Sequence, residues 1–147
     1  MGPGGRLTTP KWTIVSPDDH VFESPTLWVD RLPRRYRESG PRVELLPEAA
    51  AAGGPVGVSP ERPSTDGKRC SWWQYEDHFW MMRRYHAAPG LEPHDIDNRG
   101  NTFDQVREGC WNPTARLADM DINGVAASLC FPNYPRFAGQ LFLNFCV

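Results

Sequence analysis

The amino-acid sequence predicts an α/β fold: two parallel strands joined through a helix, with an aromatic β-hairpin and loop insertion after the first strand. Three observations predict it. A β-branched run at residues 12–16 opens the ordered part of the chain. An almost unbroken apolar run at residues 125–131 follows directly on a capped helix. Between them, aromatic residues 70–75 read as a strand that pairs with an alternating segment at residues 42–46.

Each element has a local cause. Residues 1–11 are rich in Gly and Pro and read as a disordered tail. Trp12, Thr13, Ile14 and Val15 favour a strand, which is expected to stop at Pro17, with Asp18, Asp19 and His20 at its end. Ser24 suits a helix N-cap and Pro25 the first helical position, so a short helix bearing Leu27, Trp28 and Leu32 follows until Pro33. Residues 47–66 combine an Ala run, adjacent glycines and several prolines, and read as a flexible loop. Residues 77–86 show no clean period, and 87–101 read as loop. Asn112 and Pro113 open a second helix, which runs through Leu117 and Met120 to Ile122. Gly124 ends it. The apolar run after Gly124 suits a parallel strand covered on both faces.

Composition narrows the class. The chain has 147 residues, 39% of them hydrophobic and 23% charged, which places it among globular rather than disordered sequences. The net charge is −2, and the one Arg cluster (Arg31, Arg34, Arg35, Arg37) is bracketed by Asp30 and Glu38, so a nucleic-acid footprint is not expected. No stretch approaches the ~20 apolar residues of a membrane span, and the N-terminus lacks the apolar core of a secretory signal. A cytoplasmic protein with no membrane partner is expected. The four cysteines form no CxxC pair and read as free thiols.

Asp18, Asp19 and His20 carry the chemistry. Residues i and i+2 of a strand point to one side, so Asp18 and His20 face together and Asp19 faces away. A carboxylate and an imidazole at the C-terminal end of a strand can grip one divalent metal, and that end is where barrel enzymes build their active sites. A metal so held lowers the pKa of bound water and supplies hydroxide near neutral pH. The bland alternative is an Asp capping a turn beside a packed histidine. Glu23 could touch the same site, or it could be a helix-start charge. Asn133, Tyr134 and Arg136 lie in the loop after the second parallel strand, at the active-site end. Arg136 there could hold a substrate carboxylate. Trp72, Trp73, Tyr75, Phe79, Trp80 and Tyr85 read as packing of the insertion rather than a pocket. His78, His86 and His94 read as solvent-exposed loop histidines, and Asp119 and Asp121 as solvated.

Three blocks in order, WTIVSPDDHVFESPTLW (residues 12–28), DRLPRRYRESGPRV (30–43) and CWNPTARLADMDINGVAASLCFPNYPRFAGQ (110–140), resemble the opening of the amidohydrolase-related family, in the branch that includes aminocarboxymuconate-semialdehyde decarboxylase. The resemblance implies the N-terminal fragment of a (β/α)8 TIM barrel, a partial domain over residues 12–147. It also implies Asp18 and His20 as the first two metal ligands, with Asp18 standing where the wider superfamily has His. The implied metal is zinc, with iron or manganese as alternatives. Such a barrel needs roughly 250 residues, so further His and Asp ligands and the catalytic residues are expected beyond this chain. The implied function is the N-terminal part of a metal-dependent hydrolase that uses metal-activated water on a small-molecule substrate, inactive as this chain alone and homo-oligomeric if full length. The alternatives are a decarboxylase on the same scaffold, or a non-catalytic truncated product or interaction module.

Overall fold

The computed structural model of the chain describes residues 13–48, 58–59, 67–136 and 139–143. The tail at 1–11 and most of the 47–66 loop, expected to be disordered and flexible, lie outside the described residues.

Two sheets make up the mixed α/β architecture. Strand β1 (Ile14–Val21) pairs in parallel with β6 (Val125–Pro132), and helix α2 (Pro113–Asn123) leads into β6. The other sheet is antiparallel, with strands β2 (Arg42–Pro47), β3 (Val58–Ser59), β4 (Arg69–Tyr75) and β5 (His78–Met81) in the spatial order β2-β4-β5-β3. Helix α1 (Leu27–Arg31) follows β1, and α3 (Gln140–Leu143) comes after β6. The described residues form no closed barrel. None of their helices is long and apolar enough to cross a membrane.

The expected βα unit and second parallel strand are present, and so is the predicted pairing of residues 42–46 with 70–75. The insertion is larger than a hairpin. Residues 78–81, expected to be irregular, form β5, which turns back on β4 through Glu76 and Asp77. Glu76 adopts φ +49° in that turn. The first strand also differs from expectation, because it runs through Pro17 to Val21. The register explains how: Ser16 lies opposite Ser128 but Asp19 opposite Cys130, so Pro17 and Asp18 share the span of one β6 residue. A bulge is where a strand tolerates a residue without an N–H.

Helix α2 begins and ends as the sequence predicts. Asn112 accepts a hydrogen bond from the Thr114 N–H at 2.9 Å, Pro113 opens the helix, and Gly124 closes it at φ +68°. Helix α1 begins later than expected. Its N-cap is Thr26, with Ser24 and Pro25 in the preceding turn, where the Leu27 N–H donates to the Ser24 carbonyl.

The core lies around the antiparallel sheet, and alternation sorts it. Trp73 and Trp80 turn to one face, where they meet Phe22, Met82, Val106, Tyr134 and Leu141. Cys70, Trp72, Phe79 and Met81 turn to the other and pack with Leu46. Trp73 is fully buried and stacks on Tyr134, ring centroids 4.7 Å apart. Burial of a large aromatic contributes about 1.5–3 kcal/mol, and a ring pair about 0.5–1.5 more. The reading of these aromatics as packing holds for the five on β4 and β5, with Trp72, Trp73, Phe79 and Trp80 buried and Tyr75 half-buried against the core, whereas Tyr85 is exposed. The parallel pair is a different case. β6 was expected to be covered on both faces, yet Ala126, Ala127, Leu129 and Cys130 are exposed, as is Val15 on β1. No element among the described residues lies over these positions, and parallel sheets need cover on both sides to bury their apolar runs.

Candidate metal-binding strand end

From the bulge onward, exposure along β1 alternates: Asp18, within the bulge, and His20 are exposed, while Asp19 and Val21 are half-buried. The strand end therefore leaves a carboxylate and an imidazole both open to solvent. His20 sits beside Phe131 of β6, ring centroids 6.4 Å apart.

Asp19 turns the other way, toward α2. It accepts a hydrogen bond from the Ser128 hydroxyl and pairs with Arg116 at 3.1 Å. The Ser128 bond foremost, with help from Arg116, holds the Asp19 carboxyl below its usual range. Arg116 also approaches the His20 carbonyl at 3.4 Å, so one side chain of α2 braces the back of the strand end.

Glu23 is buried and joins the two strand ends. Its carboxylate oxygens accept from the backbone N–H groups of Asn133 and Tyr134, each at 3.0 Å. Burial raises its pKa, while those two donors and His20 pull the other way. Glu23 is thus neither a helix-start charge nor a group facing solvent. It clamps the loop after β6 onto the end of β1. Tyr134, a candidate for substrate contact, is instead a core residue against Trp73, and burial pushes its phenol pKa up. Asn133 is half-buried, and its Nδ2 finds no hydrogen-bond partner among the described residues. Arg136 adopts φ +61° and lies close enough to His86 to oppose its protonation.

A cleft of about 540 Å³ opens between this strand end and α2, lined in part by Asp19, His20, His86, Cys110 and Arg116. It includes His20 but not Asp18, Glu23, Asn133, Tyr134 or Arg136. The structure thus leaves Asp18 and His20 both exposed at the end of β1 and ties Glu23 to Asn133 and Tyr134, but it does not gather all six candidates around one cavity.

Among the described residues no three His, Cys, Asp or Glu side chains cluster closely enough to enclose a metal ion. Asp18 and His20 offer two donors, an oxygen and a nitrogen, of the types that suit zinc. Of the other histidines, His94 is exposed as expected. His86 is not a solvated loop residue, since it stacks on Trp80 at 4.7 Å and burial lowers its pKa to about 4. Asp119, read from sequence as solvated, forms a two-pronged pair with Arg107. Sequence reasoning missed Arg116 and Ser128. Their signal was an Arg on the first turn of α2 and a lone hydroxyl in an otherwise apolar strand.

No protein-family model matches the chain, and no curated protein matches it.

Proposed function

We propose that this chain supplies the first metal-binding strand of an amidohydrolase-type, metal-dependent hydrolase acting on a small-molecule substrate. One observation carries the reading: Asp18 and His20 are both exposed at the C-terminal end of β1, beside the same end of its parallel partner β6. Active sites of parallel α/β folds lie at that end of the strands.

The donor set fits a divalent ion. Carboxylate and imidazole suit zinc first and iron or manganese next. Both side chains are exposed, so they reach an ion without unpacking the core. Two ligands leave the other positions to water and to donors from elsewhere. A divalent ion so held supplies hydroxide near neutral pH. The remaining roles belong to this chain's own residues. Glu23 fixes the β6 loop against the strand end, and the unpaired Asn133 Nδ2 offers a donor to a substrate oxygen. Arg136, in the same loop, offers a cation for an anionic substrate.

Zinc titration of the purified chain by calorimetry tests the reading. One weak site is expected, lost in both Asp18→Ala and His20→Ala and retained in Asp19→Ala. Zinc uptake that survives Asp18→Ala and His20→Ala would refute it, because the ion would then sit on other His or Cys residues.

A second, non-catalytic reading draws on the exposed Val15, Leu117, Ile122 and Leu129, which give β1, α2 and β6 apolar surface suited to docking. Self-association unaffected by chelator, together with no zinc site, would favour it.

A further inference from the structure

A second pocket, of about 290 Å³, lies well apart in character from the strand end, between α1, the β4–β5 turn and α3. Four aromatic side chains line it: Trp28, Tyr36, Tyr75 and Phe142. The Phe142 ring stands at 87° to Trp28 with centroids 5.7 Å apart, and at 80° to Tyr75 with centroids 5.2 Å apart. Rings set at right angles form a corner, where a parallel stack would close the space between them.

The chain builds this corner from separate local causes. Trp28 comes from the short helix after β1. Gly40 lets the following loop close on that helix, since a Cβ there would lie 2.3 Å from the Leu32 Cδ1. That approach brings Pro41 to the rim. Glu76 stands in the left-handed turn between β4 and β5, which the Gln74 side chain holds by donating to the Glu76 carbonyl at 2.9 Å.

The charge of the lining is one-sided. Glu76 is the only ionisable acid or base among the lining residues apart from the tyrosine phenols, and no Lys, Arg or His joins it. Aromatic faces attract cations that hold water weakly, and a carboxylate at the rim adds to the attraction. The Trp28 Nε1 is buried and has no hydrogen-bond partner among the described residues.

We propose that the Trp28–Tyr36–Tyr75–Phe142 corner, with Glu76 at its rim, binds a small methylated ammonium ligand. The site is independent of the metal-binding strand end, and its test does not depend on metal.

Choline is the probe, and 3,3-dimethylbutan-1-ol, its neutral isostere, is the control. Titration of the full chain is followed through the indole N–H resonance of Trp28, assigned by its absence in Trp28→Phe. Choline is expected to shift that resonance saturably and to bind about tenfold more tightly than the isostere. Glu76→Gln, at an exposed position, should weaken choline about threefold and leave the isostere unchanged. Tyr36→Leu, which alters an exposed ring at the rim, should also weaken choline severalfold. Equal binding of choline and isostere would overturn the proposal and leave an apolar crevice. So would the absence of a saturable shift, or a Glu76→Gln chain that binds choline as well as the parent.

Discussion

Replacing Glu23 by Gln isolates the clamp between the two parallel strand ends. In the parent chain the Glu23 carboxylate is 7% exposed and accepts two backbone N–H groups, from Asn133 and Tyr134, each at 3.0 Å. Gln keeps the shape but offers one acceptor, so one of the two N–H groups faces an amide donor instead. A hydrogen bond to a charged group contributes about 1.5–3 kcal/mol. Against this, removing a buried charge returns part of its desolvation cost, which shows in the raised pKa of Glu23. We set that return at about 1 kcal/mol, leaving a net loss of about 1–2 kcal/mol at neutral pH. With a urea slope of roughly 1.5 kcal/mol/M, the unfolding midpoint should fall by about 1 M. The pH dependence has a definite sign. A raised folded pKa means that the fold gains stability from protonation, fully present below the ordinary value of 4.5 and lost as pH rises through the folded value. The amide of the Glu23→Gln variant cannot titrate, so the gap between parent and variant should narrow as pH rises from 4.5. Urea unfolding of both proteins from pH 4 to 7 measures this. A midpoint shift below about 0.3 M at pH 7, or a gap that widens with pH, would refute the reasoning.

Three further outcomes follow from the same geometry. Burial first, then Arg83 and Arg136, depress the His86 pKa to about 4, so the folded chain binds fewer protons than the unfolded chain between pH 6.5 and about 4. The stability from neutral His86 is therefore present above 6.5 and lost as pH falls through that window. An imidazole titration by NMR should show a midpoint near 4, and a midpoint near 6.5 would contradict the buried stack on Trp80. At Gly109 an added Cβ would fall 2.0 Å from the Asp119 Oδ2, so Gly109→Ala should cost about 1–3 kcal/mol in thermal unfolding. Pairing it with Asp119→Ala should recover much of the loss, which a double-mutant cycle reads directly. Gly124 caps α2 at φ +68°, and Gly124→Ala should cost about 1–2 kcal/mol in the same assay.

How much of this was legible in the sequence depends on whether the signal was local. The α2 boundaries were written in Asn112, Pro113 and Gly124, and the pairing of β2 with β4 in the alternation of residues 42–46 and the aromatic run of 70–75. The exposure of both Asp18 and His20 fits the alternation expected of a strand, although Asp18 itself lies in the bulge. Strand β5 was hidden, since its four residues are too few to show a period and its turn residues, Glu76 and Asp77, are not a glycine pair. Pro17 misled because it ends most strands, and only pairing with a single neighbour, with a register slip, lets one continue. The role of Glu23 was invisible for a different reason. Its partners are main-chain N–H groups more than a hundred residues away, and no side-chain pattern encodes them. Exposure of β6 could not be read either, because an apolar run states what a strand needs and not what the chain provides.

The separation of the two parallel strands along the chain has a kinetic consequence. Ile14 pairs with Val125, whereas Tyr75 pairs with His78 across a two-residue turn. Closing a loop of 111 residues (125 − 14) rather than one of 3 (78 − 75) adds about 3 kcal/mol of chain entropy. The aromatic meander therefore assembles first, and the strand end that carries Asp18 and His20 docks onto an already built platform. Substitutions that weaken Trp73 or Trp80 should slow folding, while those along β6 should chiefly hasten unfolding. The proposed metal-binding face is then the last part of the chain to acquire its shape and the first to give it up.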